Sequence, residues 1–430
     1  MSSTSTASPP HGHRPGSVRA ALSYPDFRRM WVASFASMIG TWMQNVVLPA
    51  YAYERTGRAS IVGLLVFAQL GPLLLLSIPA GVIADRVDRR RWLIAMQTVQ
   101  LAFSVLLAPL AATDAPMWAL FGASLGVGIG NALNAPAWSA MLPMLVRRED
   151  LPGSISLNST TLNAARVIGP IIVAVSSPLG VTTAQFFLVN AATYLFVIVA
   201  LARTPLPSVT GATGERGLRQ FTAGIRLVRT MPVTSRLLLS LMSFSLISLP
   251  YVGLFPAVSD ELFDIAETST SYKWLYATWA LGACLGGLAV GTLFVGTDKR
   301  RLVRFGFAGF AVSLVAFALG SGPLGAFLAA TPLGFFYFAT TTSMMTIVQS
   351  RLRDNERGRV MSIWFMAFGG TVPIGNLIFG PIMDTVGARW VLLGGALWAA
   401  FLAWWCDIER IDQRLDAHEL DRATPAVATR

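Results

Sequence analysis

Charged residues in this chain come in short runs, and long uncharged apolar stretches separate those runs along almost the whole length. A bilayer core needs about 20 apolar residues per helix. Backbone inside it must satisfy its own hydrogen bonds, so each such stretch predicts a spanning helix. By that ruler, spans fall near residues 30–53, 61–84, 92–112, 117–142, 154–176, 181–202, 236–258, 271–296, 302–320, 323–348, 359–384 and 388–407. The chain is 54% hydrophobic and only 13% charged, whereas aqueous domains carry roughly a quarter charged residues. The expected fold class is an all-α membrane protein, with twelve transmembrane helices in two pseudo-symmetric six-helix bundles.

The basic residues give an independent reading of orientation. Arg28 and Arg29, the run from Arg86 to Arg91, Arg147 and Arg148, the central segment from Arg203 to Arg236, Lys299 to Arg304, and Arg351 to Arg359 all fall on one side of the predicted spans. Arg55, Arg58, Lys273 and Arg389 fall on the other. An excess of Lys and Arg marks the cytoplasmic side, so both termini are expected in the cytoplasm and the chain in the cell (inner) membrane. The net charge of +11 then reports topology, and no nucleic-acid partner is expected.

Five segments follow. Residues 1–23 are rich in Ser, Thr, Pro and Gly and lack an apolar core; they are neither signal peptide nor span and are expected to be a disordered cytoplasmic tail. Residues 24–202 are the N-terminal bundle, 203–235 a cytoplasmic central loop, 236–407 the C-terminal bundle and 408–430 a second tail. Within the central loop Leu218, Phe221, Ile225 and Val228 recur at helical spacing. This amphipathic helix either lies on anionic lipid or packs on the cytoplasmic ends of the bundle.

Enzyme chemistry finds little to work with. The histidines, His11, His13 and His418, lie in the tails, and Cys284 and Cys406 lie inside apolar segments. No catalytic residue, metal site or cofactor is expected. The sequence GxxxxGK[ST] does not occur, so any pumping draws on an ion gradient rather than on ATP bound by this chain.

Shifted by 210 positions, GVIADRVDRRR from Gly81 to Arg91 aligns with GTLFVGTDKRR from Gly291 to Arg301. Gly81 meets Gly291 and Asp88 meets Asp298, while Asp85 and Arg86 have become Val295 and Gly296. Parallel six-helix duplicates are a transporter architecture, with a substrate site at the interface of the halves near the bilayer midplane.

These residues carry a resemblance to the major facilitator superfamily and, within it, to the branch of exporters similar to the enterobactin exporter. The loop from Gly81 to Arg91 resembles the superfamily's signature between helices two and three. The segments YPDFRRMWVASFASMIGTWMQ, FTAGIRLVRTMPV and DTVGARWVLLGGA resemble that branch, and AARVIGPIIVA resembles a Gly-Pro signature of export. The resemblance implies a gating set of Gly81, Asp85, Arg86, Arg90, Gly169 and Pro170. Asp85 would engage the start of helix eleven, near Arg359 and Val360, and help hold the cytoplasmic gate closed. The plainer alternative is that the basic run only fixes topology.

Arg166 is the one full charge well inside a predicted span, about 18 Å from the cytoplasmic start of its helix. Burying it costs at least about 2.5 kcal/mol, so it is expected to face the bundle interior, as a substrate contact or as a structural anchor. Polar and aromatic residues at similar depth complete the candidate substrate set: Gln44, Asn45, Asn134, Trp42, Gln69, Tyr251 and Tyr337. Glu54 and Asp384 stand toward the outer ends of their helices, either exchanging protons with the exterior or serving as ordinary helix-end residues.

Together these features point to a secondary active transporter that exports a small amphipathic or anionic molecule, such as a siderophore or drug, by alternating access. The expected partners are that small-molecule substrate, a proton or other coupling ion used in antiport, and membrane lipid; the chain is expected to be a monomer. The rival readings are a metabolite uptake transporter and a non-transporting membrane sensor of the same fold.

Overall fold

The computed structural model describes residues 13–84, 87–141, 144–205 and 218–411. Every regular element among them is helical. They fall into two compact units, one of residues 1–48 with 75–214 and the other of residues 49–74 with 215–430. In chain order the first helices are α1 (Val18–Leu22), α2 (Pro25–Thr56), α3 (Ala59–Ala84), α4 (Arg89–Ala112), α5 (Met117–Met141), α6 (Leu151–Ser176) and α7 (Thr183–Arg203). There follow α8 (Leu218–Arg229), α9 (Pro232–Ile247), α10 (Pro250–Gly253), α11 (Phe255–Phe263), α12 (Thr270–Gly291), α13 (Lys299–Leu319), α14 (Gly322–Ser350), α15 (Asp354–Phe365), α16 (Thr371–Val386) and α17 (Ala388–Trp405). The first unit takes α2 as far as Leu48 and α3 from Leu75; the second takes the stretches between.

Among the described residues nine helical segments are long and apolar enough to cross a membrane. The count becomes ten if Thr222–Arg229 and Pro232–Ile247, bent by 116° where they meet, are taken as one. Helices α2 and α5 have 32 and 25 residues; they have the length, and side chains such as Gln44, Asn45, Asn131 and Asn134 make them more polar.

Two of the predicted spans are not continuous α-helices. The stretch expected at 236–258 is divided into α9, α10 and α11. Pro250 and Pro256 have no N–H, so the carbonyls of Leu246 and Val252 lose their helical donors and the helix breaks twice. The span expected at 359–384 is interrupted by a π-helical turn, Met366–Gly370, between α15 and α16.

The described part of the tail expected to be disordered, residues 13–23, carries regular structure, the helix α1. Ser17 caps α1 by accepting from the Ala20 N–H. Asp150, almost fully buried, accepts from the Gly16 N–H at 2.8 Å and from the Tyr24 hydroxyl at 2.8 Å. A Cβ on Gly153 would lie 2.4 Å from the Ser17 carbonyl oxygen, so the tail lies directly on the start of α6. The amphipathic helix of the central loop, α8, packs against α15, where a Cβ on Gly224 would stand 3.2 Å from both the Arg359 carbonyl and Ile363.

The tightest packing is in the second unit. Added Cβ atoms at Gly282, Gly286 and Gly334 would fall 2.1, 2.0 and 2.1 Å from the carbonyl oxygens of Thr331, Phe335 and Trp279. Helices α12 and α14 therefore touch backbone to backbone, as small residues permit in lipid. The internal repeat is visible in local structure: Asp88 caps α4 by accepting from the Arg91 N–H at 2.8 Å, and Asp298 caps α13 by accepting from the Arg300 N–H at 2.9 Å. The Arg300 guanidinium, 2.9 Å from the Asp298 carboxylate, holds that carboxyl below its usual range.

Asp150→Ala leaves two donors without their acceptor, each costing about 1–3 kcal/mol when buried. Limited proteolysis should then cut residues 13–24 faster than in the wild type while the bulk of the protein resists; equal cutting would show that the tail is held by something else. The Tyr24 hydroxyl is pushed above its ordinary value by burial and then by Asp150. Its stabilising contribution is thus complete below the free tyrosine value of about 10 and is lost only as pH rises through the higher folded value.

Candidate functional site

In the first unit the chemistry gathers where α6 crosses α2. A Cβ on Gly169 would lie 2.7 Å from the Trp42 Cβ, 3.0 Å from the Ile39 carbonyl oxygen and 3.0 Å from the Met43 nitrogen. No side chain other than hydrogen fits there. This contact brings the preceding turn of α6 up to Trp42, and the Arg166 guanidinium stands 4.9 Å from the centroid of the Trp42 ring. A cation over an indole face is stabilised by the ring quadrupole, by about 0.5–1 kcal/mol where exposed and about 2 or more where desolvated. Pro170 is buried within α6 and cannot donate the helical hydrogen bond to the carbonyl of Arg166, four residues back. The arrangement is a half-buried cation on an aromatic platform, next to a locally weakened helix.

Gln44, also on α2, belongs to a different cluster. Its side-chain oxygen accepts from the Asn190 amide at 2.7 Å and from the Ser104 hydroxyl at 3.3 Å, and all three residues are buried. The cluster ties α2, α4 and α7 together. Asn134 is buried and its oxygen accepts from the Gln97 amide at 3.4 Å. Asn45, like Trp42, is half-buried.

The remaining candidates lie in the second unit. Tyr251 is buried with its hydroxyl accepting from the Trp279 indole N–H at 3.0 Å. Tyr337 stacks on Trp279, ring centroids 6.1 Å apart, and on Phe368 of the π-helical turn at 6.2 Å. These rings form a packed aromatic cluster that also takes in Phe244, Phe255 and Phe310. Gln69 is buried on α3 in the same unit.

Of the gating set, Gly169 and Pro170 stand beside Arg166, and Gly81 lies in the last turn of α3. Asp85 and Arg86 lie outside the described residues. Arg90 donates to the carbonyls of Leu201, at 2.9 Å, and Ala202, closing the C-terminus of α7, where a cation also meets the negative end of the helix dipole. Among the described residues no three His, Cys, Asp or Glu side chains gather as a metal site would require.

Sequence reasoning missed Asn190, Ser104, the π-helical turn and the role of Asp384, which accepts from the backbone N–H of Ala59 at 2.6 Å and of Ser60 at 3.1 Å. The amide on α7 was detectable as a polar residue in mid-span; its partner was not.

Residues 16–427 match the family described as transmembrane secretion effectors. Macrolide efflux protein A of Streptococcus pyogenes is 24% identical over 393 residues, covering 86% of this chain and 93% of that protein. The enterobactin exporter EntS of Shigella boydii is 24% identical over 343 residues, covering 80% and 81%. Among solved structures, the nucleoside transporter NupG superposes with a TM-score of 0.69 at 12% identity, over 88% of this chain and 97% of that one. A bacterial homolog of the human lysosomal transporter Spinster gives 0.68 at 14% identity, over 92% and 97%.

Gly169→Val places three carbons, a Cβ and two methyls, inside the α2–α6 contact. Overpacking of this kind costs about 1–3 kcal/mol and should lower the melting temperature in detergent and displace Trp42, visible as a shift in tryptophan emission. Gly169→Val with wild-type stability and emission would mean that the crossing is looser than described.

Proposed function

We propose, on the premise that the chain belongs to the transmembrane secretion effector family of the major facilitator superfamily, that it exports a small amphipathic or anionic compound by alternating access. The protein is a multi-pass membrane transporter and not an enzyme. The finer reading has twelve spans in two bundles of residues 24–202 and 236–407, both termini cytoplasmic in the inner membrane, and a monomer driven by proton antiport. Relatives named for macrolide efflux and enterobactin export support the outward direction and a cargo of that general kind.

The observation that carries the substrate class is the Arg166 guanidinium on the Trp42 ring at the crossing fixed by Gly169. A cation at a membrane span, backed by an indole, attracts an anionic group while the ring offers apolar contact to the body of the same molecule. Asn45, three residues further along α2 and so about one turn from Trp42, supplies an amide to the same region. Asp85 and Arg86 are proposed as the cytoplasmic gate, and Pro170 as the point where α6 yields.

The test is efflux of a panel of siderophores and amphipathic drugs from preloaded cells, with and without a protonophore. Wild-type efflux should stop with the protonophore. Arg166→Ala should lower kcat/KM by about tenfold or more for anionic cargo, the loss of one charge-assisted contact, while Arg166→Lys, which keeps the charge, should recover part of it. Asp85→Asn should slow turnover without that selectivity. Equal loss for anionic and neutral compounds in Arg166→Ala would assign the arginine to structure.

A further inference from the structure

The first turn of α3 is gripped by α16, and every residue of the contact lies within the second compact unit. Ala59 and Ser60 carry backbone N–H groups that the start of a helix leaves without intrahelical partners. The Asp384 carboxylate accepts both, at 2.6 and 3.1 Å, at the positive end of the α3 dipole. Below it the two helices meet without intervening side chains. A Cβ on Gly380 would lie 2.8 Å from the Ala59 carbonyl oxygen, and one on Gly63 would lie 2.3 Å from the Asn376 carbonyl oxygen. The contact continues to Gly370, whose Cβ would fall 2.5 Å from the Leu74 side chain.

One residue in this strip works against it. Asn376 is fully buried, and neither its amide nitrogen nor its amide oxygen has a hydrogen-bond partner among the described residues. It is pressed against Gly253, where a Cβ would come within 2.4 Å of its nitrogen. A buried amide without partners loses the hydrogen bonds that it makes in water. It regains them when the strip opens.

We propose that Asp384 is a positioning residue for transport: it clasps the first turn of α3 to α16 in one of two alternating states, and the orphaned amide of Asn376 keeps that state from being permanent. The proposal rests on the transporter reading above. It gives the α3 helix a second point of control at the end opposite Gly81. The grip is strong because two charge-assisted bonds act together, and it is reversible because closing it strips Asn376 of solvent.

The test uses the full chain in lipid nanodiscs without substrate, with Cys284→Ser and Cys406→Ser to remove the native thiols and Val66→Cys as a probe. Val66 is buried one turn after Gly63. With N-ethylmaleimide, labelling should be slow in that background and rise by about tenfold or more when Asp384→Ala removes both bonds. Asp384→Asn keeps an acceptor oxygen and should restore part of the protection. Asn376→Leu should slow labelling below the background rate and, in the efflux assay, lower kcat with little change in KM. Equal labelling in Asp384→Asn and Asn376→Leu, both folded by size exclusion, would overturn the clasp even if Asp384→Ala fails to fold. Labelling that follows the expected order in a protein that exports none of the tested compounds would leave the clasp standing and overturn the proposed export of amphipathic or anionic cargo.

Discussion

In lipid, apolar burial no longer drives helices together, because the solvent is as apolar as the side chains. The fold of this chain therefore depends on close backbone approach and on polar groups that can be satisfied only by another helix. Helices α12 and α14 meet through Gly282, Gly286 and Gly334, α6 meets α2 through Gly169, and α16 meets α3 through Gly380 and Gly63. Polar bonds sit alongside such contacts: Gln44 with Asn190 and Ser104 between α2, α4 and α7, and Asp384 on the start of α3. The Arg166–Trp42 contact is a product of the same constraint, since the guanidinium reaches the ring only because Gly169 lets the two helices approach.

That dependence explains which features were legible in the sequence. Helix positions follow from hydropathy, which is a local sum, and most helices stand close to where the apolar runs place them. Breaks inside an apolar run were invisible to that sum. Pro250 and Pro256 are individually apolar, and it is their missing N–H groups, not their hydropathy, that divide α9, α10 and α11. The order of residues 13–23 was hidden for a different reason: the acceptor that holds Gly16 and Tyr24 is Asp150, 134 and 126 positions away. A Ser, Pro and Gly composition says nothing about a partner that far along the chain.

The candidate site was legible by residue type and not by partner. A charge within a span had to find company, and Arg166 finds Trp42. Tyr251 and Tyr337 were selected as aromatic rings with polar tips; the structure puts both in a buried cluster around Trp279. Conversely, Asp384 read as a helix-end carboxylate, and nothing in its neighbours along the chain indicated that the start of α3, more than 300 positions away, would supply two backbone donors.

The internal duplication separates static from state-dependent demands. Asp88 and Asp298 stand at equivalent places and do equivalent work, each capping the helix that follows a short loop. That requirement arises wherever a helix begins at the membrane surface, so both halves carry it. Asp85 and Arg86 have no counterparts, their equivalents being Val295 and Gly296, so whatever they do is needed once. Irregular backbone is also unequally shared: in the second half the double break around Pro250 and Pro256 and the π-helical turn before Thr371 both stand next to α16, with Gly253 against Asn376 and Gly370 against Leu74. Helix irregularities of this kind leave main-chain groups without ideal partners. The buried positions of α16 itself are mostly small or polar, Thr371, Gly375, Asn376 and Gly380 among them, and contacts of that kind, with the paired bonds of Asp384, can be exchanged without dismantling the core.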